Sequence, residues 1–141
     1  MAVRPIVDSM FSRSATLTGV GVTLLLAMAA IDLLVYFGFG LAFAYPGILF
    51  LLNAAAAAAI AGGLLRGYQS AWHLAAGLAA TTAVLFVVVR TIGLPGFQLN
   101  DWVVMLGFVP LGPLSLLVET LILGLYVSWL AIRPRQRPQI R

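Results

Sequence analysis

The stretch that decides the fold is residues 51–90, LLNAAAAAAIAGGLLRGYQSAWHLAAGLAATTAVLFVVVR. It contains two long apolar runs separated by a short polar turn, RGYQS, at 66–70. A helix of about 20 apolar residues is long enough to cross the ~30 Å hydrocarbon core of a bilayer. The first run reaches this length when it is counted from Pro46, and the second when it is continued to Gly93. The pattern therefore predicts two membrane-spanning helices, over 46–65 and 71–93, joined as an antiparallel hairpin.

The remainder of the chain has the same character. Of the 141 residues, 62% are hydrophobic and 9% are charged, and the mean hydropathy is +1.08, a balance that soluble single domains do not have. Two further apolar runs predict spans over about 17–43 and 113–132. Residues 1–15 predict an interfacial arm, and the proline-interrupted basic tail 133–141 is expected to be flexible. We therefore expect an all-α, integral membrane four-helix bundle, formed by a single transmembrane domain over residues 1–141.

Arginine supplies all the basic side chains, since the chain contains no lysine. The positive-inside rule places such charges on the cytoplasmic side. With both termini cytoplasmic, Arg90 is the exception and seven of the eight arginines obey the rule: Arg4, Arg13, Arg66, Arg133, Arg135, Arg137 and Arg141. A membrane surface with anionic lipids explains this basic character better than nucleic acid does. We expect a multi-pass protein of the cell inner membrane, with Arg133, Arg135 and Arg137 as candidate contacts for partners.

The outer connection between the third and fourth spans, LPGFQLNDWVVMLGFVPLG at 94–112, is long and half apolar. Asn100 or Asp101 could cap a short helix over 101–108. Such a helix would lie in the membrane interface, with Trp102 at the depth of the lipid headgroups. Its surface is interpreted either as a docking site for a partner or as a lid that closes the bundle.

Small residues recur at helical spacing in the second and third spans. Within lipid, helices associate through close backbone approach, which small side chains permit. The second span repeats Ala54, Ala58 and Gly62, and the third repeats Ala71, Ala75, Ala79 and Ala83. The spacing predicts a tightly packed hairpin, although alanine is also abundant in this chain without regard to packing.

Four polar side chains fall in the outer half of the predicted spans: Asp32, Asn53, Arg90 and Glu119. A carboxylate without a partner near the bilayer centre costs about 2.5–3.5 kcal/mol on insertion scales. We therefore expect Arg90 to pair with Glu119, with Asn53 and Asp32 completing an intramembrane polar cluster. Such a cluster either fixes the register of the helices or handles protons or cations.

Catalytic and cofactor-binding patterns are missing from the sequence. The chain has one histidine, His73, and no cysteine, so it offers neither a pair of haem-ligating histidines nor thiol chemistry. His73 is interpreted as an interfacial polar group beside Trp72. No nucleophile paired with a base and no phosphate-binding glycine loop is recognisable. We expect no enzymatic activity, no cofactor and no metal.

The motif R-T-x-G-L-P-G after the third span, then a tryptophan, then PLGPLSLLVE opening the fourth, resembles small four-helix membrane proteins of bacteria. The resemblance covers about residues 80–125 and implies the fold, with no activity or site residue to carry over. The expected function is a non-catalytic accessory or scaffolding subunit of a larger membrane complex, in contact with lipid and other membrane subunits. The alternative is a small oligomeric proton-coupled transporter that uses Asp32 and Glu119.

Overall fold

Four helices carry the fold in a computed structural model, which describes residues 4–38, 44–93, 105–106 and 109–132. Helix α1 is Arg4–Gly38, α2 is Ala44–Leu65, α3 is Gln69–Thr91 and α4 is Leu111–Ile132. Two strands of two residues each, β1 (Met105–Leu106) and β2 (Val109–Pro110), precede α4. The predicted all-α fold is confirmed.

All four helices are long and apolar enough to cross a membrane, which confirms the predicted number of spans. The candidate spans are Ser14–Gly38, Tyr45–Leu65, Gln69–Thr91 and Leu111–Ile132. The limits within the described residues differ from the predicted ones by up to three residues, and the predicted end of the first span at Phe43 lies outside the described residues. The chain is therefore a multi-pass membrane protein by the length and composition of its helices.

The sequence predicted a separate N-terminal arm, but in the structure its described residues belong to the same helix as the first span. Helix α1 runs without a break for 35 residues, a length of about 52 Å. Pro5 is tolerated because it lies in the first turn, and glycine does not occur before Gly19. The described part of the helix reaches Gly38, and the predicted end near Phe43 lies outside the described residues.

The turn between α2 and α3 depends on one glycine. Gly67 has a φ of 77°, a conformation that side-chain-bearing residues rarely adopt. The Tyr68 N–H donates to the Gly63 carbonyl (3.0 Å), and the Gly67 N–H donates to the Leu64 carbonyl (3.0 Å). These two bonds form a Schellman motif, which satisfies carbonyls at the end of α2 and reverses the chain within a few residues.

The helices pack as a ring, in which each helix contacts its neighbours in the sequence and α1 also contacts α4. The core lies on the inner faces and contains Leu25, Met28, Ala57, Trp72 and Ile122, all almost fully buried. The short connections after α1 and α2 make those neighbours antiparallel. Helices α3 and α4 are also antiparallel, because Trp72 near the start of α3 stacks on Trp129 near the end of α4. One end of the bundle therefore combines the C-terminal ends of α1 and α3 with the N-terminal ends of α2 and α4.

Only one of the two predicted small-residue faces has the expected register. On α3, Ala71, Ala75 and Ala79 are buried, as predicted, and Ala83 is half-buried. On α2, Ala58 is exposed, and the buried row is instead Ala54, Ala57, Ala61 and Leu64. A strict four-residue repeat drifts around a helix of 3.6 residues per turn, whereas alternating steps of three and four remain on one face. The α2–α3 approach is nevertheless tight at the turn.

The described part of the outer connection is extended rather than helical. Met105 is opposite Pro110 and Leu106 is opposite Val109 in an antiparallel pair. Val109 precedes a proline, which disfavours helical backbone angles at that position, and Gly107 is a poor helix former. The predicted interfacial helix is therefore wrong at 105–106, and Asn100, Asp101 and Trp102 lie outside the described residues.

At Gly21, helix α1 packs closely against its neighbours, so that a larger side chain there is expected to destabilise the bundle. A Cβ atom there would lie 3.0 Å from Trp72 Cη2 and 3.3 Å from Leu64 Cδ1, whereas a Cβ atom on Gly19 would meet nothing within 4 Å. We expect Gly21→Leu to lower the free energy of unfolding in detergent by about 1–3 kcal/mol through overpacking.

Gly19→Leu is the matched control, because it has the same gain in helix propensity without the clash. Thermal unfolding of both purified variants measures the difference. Equal stability of the two variants would contradict the packing described for Gly21.

Candidate functional site

A layer of polar side chains crosses the bundle at one depth and receives residues from all four helices. We call it the polar layer and define it by Asp32 on α1, Asn53 on α2, Thr82 on α3, and Ser115 and Glu119 on α4. At 1.5 Å per residue, Asp32, Asn53, Thr82 and Glu119 lie roughly 9–14 Å from the helix ends that meet at the same end of the bundle. Each lies inside a candidate membrane span.

Three of these helices are joined by a chain of side-chain hydrogen bonds. The Asn53 amide nitrogen donates to the Asp32 carboxyl group across 2.6 Å. The Thr82 hydroxyl lies 3.2 Å from the Asn53 side-chain oxygen and 2.9 Å from the Leu78 carbonyl, so both acceptors are within reach of its one proton. Asn53 thus connects α1 to α3 through α2, and Asp32 is fixed in its orientation.

Glu119 is held from its own helix. The Ser115 hydroxyl donates to Glu119 Oε1 across 2.9 Å, one helical turn away. Glu119 is 1% exposed and Asp32 is 4% exposed. Glu119 Oε2 is buried and has no hydrogen-bond partner. The layer therefore contains two buried acidic side chains and one unsatisfied carboxyl oxygen.

The expected pairing of Arg90 with Glu119 is not formed. Arg90 is 9% exposed, and its Nη1 donates to the Phe86 carbonyl (3.2 Å) while its Cζ lies 3.5 Å from the centre of the Phe86 ring. Its Nε has no partner. Arg90 lies one residue before the end of α3, about 10 Å further along the bundle axis than Glu119, which explains why it contacts the aromatic ring four residues earlier instead.

The two carboxyl groups consequently have no cationic partner within the described residues, where no salt bridge to either one occurs. Ionised, they would repel each other in surroundings that stabilise charge poorly. No group of three or more potential metal ligands from His, Cys, Asp and Glu occurs in the part of the chain that the structure describes. A proton bound by one of the two carboxyl groups would remove the repulsion.

A second cluster lies at the opposite end of α3 and α4. His73 Nδ1 and the Tyr126 hydroxyl are 2.7 Å apart, and Trp72 stacks on Trp129 with ring centres 5.6 Å apart. His73 also meets Trp129 edge to face. His73 is thus located beside Trp72 in an aromatic cluster near the ends of the spans, about 14 Å along α3 from Thr82. Aromatic residues of this kind are enriched where membrane helices reach the interface.

Sequence reasoning identified Asp32, Asn53 and Glu119 but missed two of their neighbours, as well as the partner of His73. Ser115 precedes Glu119 by four residues, a spacing that brings side chains together on a helix and could have identified it. Thr82 lies at the depth of Asn53, but nothing in the sequence indicates that its side chain is on the face of α3 that contacts α2. Tyr126 pairs with His73 across two helices, which no local pattern indicates. Arg133, Arg135 and Arg137 lie outside the described residues.

Comparison of the chain with protein-family models, with curated proteins and with solved structures found no match.

Thr82 and Thr120 provide a test of the polar layer, because both hydroxyls contact the carbonyl four residues earlier and only Thr82 also contacts another helix. We expect Thr82→Val to lower the free energy of unfolding by about 0.6–1 kcal/mol, since an interhelical hydrogen bond is lost.

Thr120→Val is the control and should change stability by less than about 0.5 kcal/mol, because its hydroxyl is exposed. Chemical or thermal unfolding in detergent gives both values. A loss at Thr82 no larger than that at Thr120 would contradict the interhelical role of Thr82.

Proposed function

We propose that this chain is a small oligomeric proton-coupled transporter in which Asp32 and Glu119 bind the coupling proton. The observation that carries the proposal is the buried Glu119 Oε2, which has no hydrogen-bond partner, in a layer that also buries Asp32. Within the described residues no cationic side chain pairs with either group. Two carboxylates buried in one layer are more stable when one of them binds a proton, because one negative charge is removed. Intramembrane acidic groups of this type form the proton relays of many transporters.

The remaining residues of the layer have positioning roles in this proposal. Asn53 and Thr82 hold Asp32, and Ser115 holds one oxygen of Glu119 while leaving the other available. Proton binding then favours contact between α1 and α4, because the two acidic side chains come from these neighbouring helices. Proton release leaves two negative charges in the layer and favours their separation. Such a difference in stability between two packings is the minimum that coupling to transport requires.

The orientation in the membrane is also proposed on electrostatic grounds. Seven of the eight arginines lie on one side when both termini are cytoplasmic, as the positive-inside rule favours. The polar layer would then lie in the outer half of the bilayer, within the inner membrane of a bacterial cell. The short turn with Arg66 would face the cytoplasm.

Proton binding can be tested directly by infrared spectroscopy of the purified protein in liposomes over a range of pH. A protonated carboxyl group has a carbonyl stretching band that a carboxylate lacks. We expect this band to change with pH in the wild type and to be altered or lost in both Asp32→Asn and Glu119→Gln. The amide variants retain the shape of the side chains, and thermal unfolding checks that both are folded.

Asp8→Asn is the matched control, because Asp8 precedes the candidate span that begins at Ser14. Its spectrum in the carboxyl region should follow the wild type, as should its proton uptake measured with a pH-sensitive dye inside the vesicles. A pH response that survives unchanged in both Asp32→Asn and Glu119→Gln would overturn the proposal.

The second candidate function is a non-catalytic accessory or scaffolding subunit of a larger membrane complex. It is favoured by the almost complete burial of Asp32 and Glu119 and by the hydrogen-bond chain that joins three helices. A fixed polar layer of this kind determines the register of the helices without any need for exchange with water. In this case the protonated carboxyl groups would be structural.

Purification in mild detergent distinguishes the two candidates. The accessory role predicts a stoichiometric set of other membrane subunits that elute with the tagged chain, and it predicts no proton flux from the isolated chain in liposomes. A homo-oligomer that conducts proton-coupled flux, with loss of flux in Glu119→Gln, would contradict the accessory role.

A further inference from the structure

A groove of about 470 Å³ opens on the outside of the α2–α3 hairpin, next to the turn. Its floor is made of small residues, Gly62, Gly63 and Ala71, and Leu74 lies further along α3. A Cβ atom on Gly62 would meet nothing within 4 Å, so the groove is open above this residue. Its volume falls in the range of about 300–1,000 Å³ that ligand pockets usually have.

The rim of the groove is polar and basic. Arg66, Tyr68 and Ser70 all contribute to it, and all three are exposed. The Arg66 guanidinium forms no hydrogen bond or ion pair with the residues that the structure describes. The two acidic side chains with described positions, Asp32 and Glu119, belong to the polar layer near the opposite end of the bundle. Within the described residues, therefore, no acidic side chain compensates the charge of Arg66 at the rim.

The groove lies where the hairpin meets the membrane boundary. Candidate spans end at Leu65 and begin at Gln69. In a bilayer fitted to these limits, Arg66 is at headgroup depth and the glycine floor is at the depth of the first acyl carbons. A molecule that fits this arrangement needs an anionic group next to an apolar chain. A partner helix would cover the glycines but would leave the arginine without an anion.

We infer that this groove binds an anionic phospholipid, with the headgroup phosphate on Arg66 and one acyl chain over Gly62 and Gly63. The guanidinium matches a phosphate with two parallel hydrogen bonds, and the Ser70 hydroxyl supplies a further donor at the rim. Basic pockets between membrane helices recognise anionic headgroups in this way. The inference is independent of the proposed proton site and goes beyond it, because no residue is shared.

The test is native mass spectrometry of the full chain after exchange into mixed micelles that contain phosphatidylglycerol or phosphatidylcholine. We expect retention of phosphatidylglycerol over phosphatidylcholine by the wild type. Arg66→Gln should reduce that preference roughly fivefold, as expected for one arginine near a membrane surface. Gly62→Leu should reduce the amount of bound lipid at least as much, because its side chain fills the floor.

Two matched controls accompany these variants. Gly77→Leu places the same side chain over another helical glycine whose Cβ would meet nothing within 4 Å, and it should bind lipid like the wild type. Arg141→Gln removes one positive charge elsewhere and should retain the preference for phosphatidylglycerol. Thermal unfolding checks that each variant is folded.

Equal retention of both lipids by the wild type overturns the inference, and so does an unchanged preference for phosphatidylglycerol in Arg66→Gln. Displacement of the lipid by inorganic phosphate alone would contradict the acyl-chain contact. If Gly62→Leu leaves lipid binding intact but abolishes a dimer or a co-purifying protein, the groove is a helix-packing surface and the inference is wrong.

Discussion

The constraint on which the structure depends is that polar groups inside a bilayer must be satisfied by the protein itself. Helices satisfy their backbone groups internally, and the polar layer does the same for most of its side chains. Asn53 is central, because it donates to Asp32 on one helix and lies within hydrogen-bond distance of Thr82 on another. The single buried oxygen left over, Glu119 Oε2, is therefore an exception within an otherwise satisfied layer. An exception of this kind is where a bound proton has the largest effect on stability.

The hairpin of α2 and α3 positions two of the five residues of that layer. Its turn needs the left-handed backbone of Gly67, and its helices approach closely at Gly63, where a Cβ atom would lie 3.2 Å from the Ala71 Cβ. Close approach at the turn keeps the two helices in contact range further along the hairpin. Asn53 and Thr82 therefore meet about 15 residues from the turn in each direction. A wider turn would separate their side chains. The small residues of the sequence thus determine where the polar residues meet.

The features that sequence reasoning predicted are the ones that depend on local composition. The four spans follow from the length of apolar runs, and the depth of Asp32, Asn53 and Glu119 follows from counting residues along a helix. What it failed to predict depends on rotation about a helix axis or on competing neighbours. The buried row of α2 contains Ala57 rather than Ala58, a difference of one position that composition does not reveal. Arg90 contacts Phe86, because an aromatic ring one turn away is nearer than a carboxylate about 10 Å along the axis.

The unbroken length of α1 has a mechanical consequence. The helix is 35 residues long, and its candidate span accounts for the 25 residues from Ser14, so ten residues continue beyond the span for about 15 Å. A continuous helix transmits rotation and tilt along its axis far better than a helix interrupted by a loop. Asp32 lies near the far end of the same rod. A molecule that binds the first turns of α1 is therefore connected through one continuous helix to Asp32, and a tilt of those turns would move this acidic group of the polar layer.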